Sequence, residues 1–282
     1  MSGTSAATPP EPVAALHLGS GAPLLLLHGV MLSPHCWERT AVRLAARCEV
    51  FAPALAGHWG GPEFVRDRYS AHTLADHLEA QLDDLGWRTC HIAGNSLGGW
   101  LGFELARRGR ARTLTAIAPA GGWKTPSPTQ ILAGAKIMPM IPILEIARRL
   151  GDSPVRSRIV RWAMAHLLTK NTRAVPPAEV SAVILAALHC PALTDLTLGT
   201  LRGPSLADMS DLTTPIRLIL ADSDRVLPPA VHGRRFLREL PAGADRIMLN
   251  RAGHVPMLED PERVANLIAE HIYASRDHLR AV

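Results

Sequence analysis

In "HIAGNSLGGWLGFELA", residues 91–106, one serine is hemmed in by glycines: Gly94 before Ser96, Gly98 and Gly99 after it. An apolar run precedes the turn as in a strand, and a helical run follows it. G-x-S-x-G in that setting predicts a sharp turn that presents a hydroxyl nucleophile, with small neighbours so that the strained backbone meets no clash. The helix behind it aims its N-terminal N–H groups at developing negative charge. A serine needs a base near neutral pH. Of thirteen histidines, His254 in "NRAGHVPMLEDPE" stands between a predicted strand and the last helix, on the same sheet edge as Ser96. A base needs a carboxylate to fix its tautomer. "LILADSDRVLPP" offers Asp222 and Asp224 at a strand tip, and spacing leaves both open. The other strand end that could hold an acid reads "APAGGW" and has none.

These groups need a scaffold that brings strand ends to one rim. Apolar runs at 23–29, 48–55, 89–94, 113–120, 215–222 and 245–250 read as strands. Helical spacing at 72–86, 97–109, about 229–240 and 261–277 alternates with them. The alternation predicts an α/β fold, a mostly parallel doubly wound sheet with helices on both faces. Residues 123–204 break the rhythm with apolar helical stretches and read as a helical insertion between two strands. The expected division is a flexible tail over 1–12, a core of 13–122 plus 205–282, and the insertion at 123–204. The insertion carries ten Lys and Arg against four Asp and Glu, a net +6, while the rest of the chain sums to −1.

The order serine, acid, histidine and the four segments "LLLLHGV", "GNSLGG", "ADSDRVLP" and "AGHVPMLEDPE" resemble the α/β-hydrolase superfamily, serine hydrolases with a helical cap, from about Val13 onward. The resemblance implies Ser96 as nucleophile, His254 as general base and acid, and Asp224, rather than Asp222, as the orienting carboxylate. It implies an oxyanion hole from the backbone N–H groups of Leu97 and Val30, with Met31 as an alternative, and a turn-shaping role for His28. Residues 123–204 would be the cap over the pocket. Ile137, Met138, Met140, Ile141, Leu144, Trp162 and Met164 are candidate pocket or cap-core residues, and Met31, Trp123 and Val255 candidate walls. The sequence departs from relatives at Ala54 and Trp59, where an Asp and a Gly are common. "HGVMLSPHCW" lacks the Gly-rich run of many lipases. Serine in place of aspartate as nucleophile argues against haloalkane dehalogenases and epoxide hydrolases, which form an ester on a carboxylate.

The expected reaction is hydrolysis of a carboxylic ester or thioester through an acyl-enzyme on Ser96, with neither metal nor organic cofactor required. The alternatives are a C–C hydrolase of the meta-cleavage-product type, and a non-hydrolytic ligand-binding or lyase protein on the same fold. A basic cap suggests an anionic substrate or an acidic membrane surface. With 47% apolar and 20% charged residues the chain has a core to bury, and a net charge of +5 without a dense basic-aromatic run argues against nucleic acid. Cys36, Cys48, Cys90 and Cys190 have neither disulfide nor zinc spacing and read as reduced, buried thiols, hence a cytoplasmic protein. "MSGTSAATPPEP" lacks the cationic start and apolar core of a secretory signal. The stretch 131–144 is expected to fall short of the ~20 residues a transmembrane helix needs.

Overall fold

The computed structural model describes residues 10–64, 70–151, 153–202 and 205–280. Most of the expected N-terminal tail lies outside the described residues. Strands β1 (Ala15–Leu18), β2 (Ala22–Leu27), β3 (Cys48–Pro53), β4 (Cys90–Asn95), β5 (Ala111–Ile117), β6 (Ile216–Ala221) and β7 (Asp245–Leu249) form one sheet in the order β1-β3-β2-β4-β5-β6-β7. β1 runs antiparallel to β3, and the remaining neighbours are parallel. β1, with only Leu16 and Leu18 as large apolar residues, is a strand the sequence reading passed over.

The fully buried Leu24–Leu27 run shows why the central strands read as unbroken apolar stretches: helices cover both faces. On one face α1 (Glu38–Leu44) packs against α12 (Pro261–Arg280), which buries Val264, Ile268 and Ile272. On the other, α2 (Ala71–Asp84) packs against α3 (Leu97–Arg107), with Leu78, Leu82 and Phe103 in the core. Ser70 caps α2 by accepting from the Thr73 N–H, and the Thr73 hydroxyl accepts from the Ser70 N–H in return.

Among the described residues, six α-helices lie between β5 and β6: α4 (Pro128–Ile137), α5 (Met140–Arg149), α6 (Ser153–Arg156), α7 (Arg158–Leu168), α8 (Pro177–Leu188) and α9 (Leu193–Arg202). α5, α6 and α7 pack on α8, whose Val180, Val183, Ile184 and Ala187 join the core beneath. The structure extends the apolar stretch 131–144: Pro128–Arg149 is 22 residues and, by length and composition alone, enough to cross a membrane.

The residues that depart from common relatives have their own packing. Trp59 is buried, stacked on His35 with ring centroids 5.2 Å apart and on His189 at 6.5 Å. It thus ties the loop after β3 to the segment before α1 and to the end of α8. All four cysteines are buried and unbridged. Burial pushes the thiols of Cys90 and Cys190 up to about 12, so they are inert at neutral pH.

Candidate active site

Parallel pairing sets the carboxyl ends of β2, β4, β6 and β7 on one rim. The chain winds outward from β2 to β3 and then returns to β4 on β2's other side, so a crevice opens between β2 and β4. Ser96 follows β4 at that crevice. Its backbone has φ 55° and ψ −114°, a conformation that costs a non-glycine residue on the order of 1–3 kcal/mol. The turn survives because it is pinned. The Ser96 N–H donates to the Ile117 carbonyl (3.0 Å), and its carbonyl accepts from the N–H groups of Trp100 (3.1 Å) and Ala120 (2.9 Å). The glycines are required by space. A Cβ on Gly94 would lie 2.1 Å from the Gly98 carbonyl oxygen, and one on Gly98 would lie 2.2 Å from that of Leu27.

The acid loop follows β6 and the histidine loop follows β7. His254 Nδ1 lies 2.7 Å from Asp224 Oδ2, with both side chains buried. The other carboxylate oxygen, Oδ1, accepts from the N–H groups of Val226 (2.8 Å) and Leu227 (2.7 Å). Burial raises the Asp224 carboxyl, but the His254 imidazole and these bonds outweigh it and hold the group below its ordinary value. It is therefore a fixed anion, and the bond to it places the Nδ1 proton of His254, which lines the cavity. Asp222 is occupied elsewhere. It accepts from the N–H groups of Arg251 (2.9 Å) and Ala252 (3.3 Å) and so folds the histidine loop from below. Of the two carboxylates that spacing left open, Asp224 meets His254 and Asp222 meets the backbone of the histidine loop.

Two anchoring residues carried no functional signal in the sequence. Asn95, fully buried beside the serine, donates from Nδ2 to the carbonyls of His254 (2.8 Å) and Ile117 (3.2 Å). It couples the histidine loop to the serine turn directly. Glu259 accepts from the N–H groups of Gly253 (2.6 Å), Lys170 (2.9 Å) and Asn171 (2.6 Å), and the Val255 N–H donates to the Leu168 carbonyl (2.9 Å). The end of α7 is thereby sewn to the histidine loop. His232, buried and edge-on to Trp123, is pulled down to about 4, by burial first and then by Lys136. It is neutral at pH 7.

His28 shapes its own turn. Its Nε2 accepts from the Leu55 N–H (3.0 Å), so the proton sits on Nδ1 and is donated to the Gly29 carbonyl (2.8 Å). Burial, with His58 next to it, lowers its value to about 3. The turn it shapes packs onto the serine: a Cβ on Gly29 would stand 3.1 Å from Ser96 Cβ. Val30 comes next in that turn, and Leu97 is the first residue of α3, where a helix N–H lacks an intrahelical acceptor.

Ser96, Leu97, Val30 and His254 all line one cavity of about 370 Å³. Of the candidate walls, Met31, Trp123, Met140 and Val255 line it, as do Ile137 and Met164. Trp100 and Trp123 meet edge to face at 5.7 Å on its wall. Met138 and Trp162 are corrections: neither lines the cavity, and they are 43% and 60% exposed. α7 turns Met164, Leu167 and Leu168 inward, and Trp162, two residues and about 200° from Met164, faces away onto His166. Met138 sits at the break between α4 and α5. Ile141 and Leu144 pack in the helical layer. Among the described residues no carboxylate lines the cavity. Two cations line it: Lys136 Nζ donates to the Val226 carbonyl (3.1 Å), and Arg225 to those of His166 (2.7 Å) and Thr169 (3.0 Å).

Comparison with known proteins agrees with this architecture. The alpha/beta hydrolase family matches over residues 24–267. "Epoxide hydrolase EphH" of Mycobacterium tuberculosis is 43% identical over 212 residues, covering 75% of this chain and 99% of that protein. "Putative carbamate hydrolase RutD" of Stutzerimonas stutzeri is 25% identical over 208 residues, covering 72% and 74%. A solved thermophilic esterase from Thermogutta terrifontis superposes with a TM-score of 0.74 at 24% identity, covering 93% of each chain. A family match running from β2 into α12, with 43% identity across three quarters of the chain, decides the membership: this protein is a hydrolase and belongs to the alpha/beta hydrolase family.

Proposed function

We propose that Ser96 attacks the carbonyl of a small, largely apolar carboxylic ester or thioester, and that the acyl-enzyme it forms is hydrolysed by water. His254 takes the serine proton and returns it to the leaving group, and Asp224 steadies the imidazolium. The oxyanion is held by the N–H groups of Leu97 and Val30. The reading rests above all on one observation: a strained serine shares its cavity with a histidine whose Nδ1 is fixed 2.7 Å from a buried carboxylate. The apolar walls favour an apolar acyl group. Lys136 and Arg225 suit a substrate that also carries an anionic group, which predicts a KM that rises with salt for anionic esters only.

The 43% identity to a protein named as an epoxide hydrolase motivates a second reading. A serine that opened an epoxide would become an ether, which has no carbonyl for water to attack, so the enzyme would stall. Epoxide opening here would instead need water activated by His254 and delivered to the ring carbon, without Ser96. The two readings separate in one experiment. Esters, thioesters, epoxides and one vinylogous diketone for the C–C alternative are assayed with the native enzyme and with Ser96→Ala. Ester turnover lost in the variant supports the acyl-enzyme. Epoxide turnover that survives in Ser96→Ala, with no ester cleaved by the native enzyme, overturns it.

A further inference from the structure

Twelve large hydrophobic side chains are exposed among the described residues, and eight of them fall within residues 131–162. Ile131, Ile143, Ile146, Leu150, Ile159 and Trp162 are each 58–78% exposed. The helices that carry them are already apolar on the inside. α4 and α5 give Ala133, Ile137 and Met140 to the cavity, and α7 gives Met164, Leu167 and Leu168. A helix apolar on both faces is ordinarily buried on both. These bury one.

The same outer layer is basic. Lys136, Arg149, Arg156 and Arg158 are exposed on it, and among the described residues of the helices α4, α5, α6 and α7 themselves the one acidic residue is Glu145, which pairs with Arg148 at 3.1 Å and Arg149 at 3.9 Å. A second copy of the chain would set this positive surface against itself. An anionic lipid bilayer would meet it with opposite charge and accept the apolar side chains beneath its headgroups, with a tryptophan at the level where that ring is favoured.

We infer that the outer faces of α4, α5 and α7 form a docking surface for an anionic lipid bilayer. The helices lie along the bilayer surface and do not span it, because their inner faces line the cavity and α5 and α7 pack on α8. Lys136, exposed and also on the cavity wall, places an edge of the cavity on this surface. Apolar substrate dissolved in the membrane then has a short route inward. This corollary rests on the proposed function, while the docking surface itself does not.

The test is co-sedimentation of the full chain with phosphatidylcholine vesicles, with and without phosphatidylglycerol. Trp162 is a built-in reporter, since the other five tryptophans are at most 8% exposed. The expected result is binding to the phosphatidylglycerol vesicles, with a blue shift of tryptophan emission. Binding should be lost in about 0.5 M salt, where the screening length shrinks to a few ångströms. Ile143→Ser/Ile146→Ser/Ile159→Ser and, separately, Arg149→Glu/Arg158→Glu should each weaken partitioning by about tenfold or more. Neither set should change cleavage of a short water-soluble ester. No binding to phosphatidylglycerol vesicles overturns the inference. So does a dimer in sedimentation velocity that the isoleucine variant dissociates, because a second copy would then own the surface. Intact vesicle binding by an enzyme that cleaves no ester counts against the proposed function alone.

Discussion

The rim above the sheet and the outer layer of the inserted helices treat their polar and apolar groups in opposite ways. At the rim, Asp224, Asn95, Asp222 and Glu259 each hold a defined set of partners, and Asp224, Asn95 and His254 are buried. In the outer layer isoleucines stand in water beside arginines. The first arrangement fixes atoms against one another, as a proton transfer demands. The second leaves binding energy unspent in the isolated chain. The contrast separates a part built for chemistry from a part free to set what reaches it. The variants below should divide along the same line.

Ser96→Ala should cause the largest loss, on the order of 10⁴-fold or more in kcat, with an unchanged unfolding transition. Stopped-flow turnover of a chromogenic ester checks it. Asp224→Asn should cost about 10³–10⁴-fold by presenting the imidazole in the wrong tautomer, whereas Asp222→Asn should cost far less because Asp222 only folds the loop. Equal losses in the two asparagine variants would undo the assignment drawn from their partners.

Asn95→Leu removes the two bonds that tie the histidine loop to the serine turn. A displacement of His254 by about an ångström would cost up to ~10²-fold in kcat with little change in KM. If KM rose and kcat held, Asn95 would be shaping the cavity and not positioning the base.

The smallest effect on turnover belongs to the buried histidines, which act on stability instead. His28 is lowered to about 3, and His58, His232 and His271 to about 4, each by burial first. The unfolded chain therefore binds protons from about pH 6.5 downward while the folded chain does not. Their contribution is full above pH 6.5 and drains away as pH falls toward 4. Denaturant midpoints measured from pH 7.5 to 4.5 should fall steadily, and His28→Gln should flatten the slope. A midpoint independent of pH would contradict this.

The same division explains what the sequence disclosed. Central strands buried on two faces are continuous apolar runs, and a nucleophile turn must advertise its glycines, so β2, β4 and Ser96 were legible. The order of the strand-end residues was legible too. β1 was not, because an edge strand with alternating His17 and Leu18 carries little apolar signal. Asn95 occupies the unrestricted position of its motif, and its role lies in a bond to a residue 159 positions away. The errors at Met138 and Trp162 have a related cause. On α7 apolar residues stand on both faces, and only the packing shows that Met164 faces the cavity and Trp162 the solvent.

The central claim is a covalent acyl group on one serine. Native enzyme quenched in acid during turnover of a slow ester, then digested and read by mass spectrometry, should carry the acyl mass on the peptide containing Ser96. The label should be absent from Ser96→Ala. Steady ester turnover with no acyl adduct at Ser96 at any time, or with the adduct on another residue, would contradict the account.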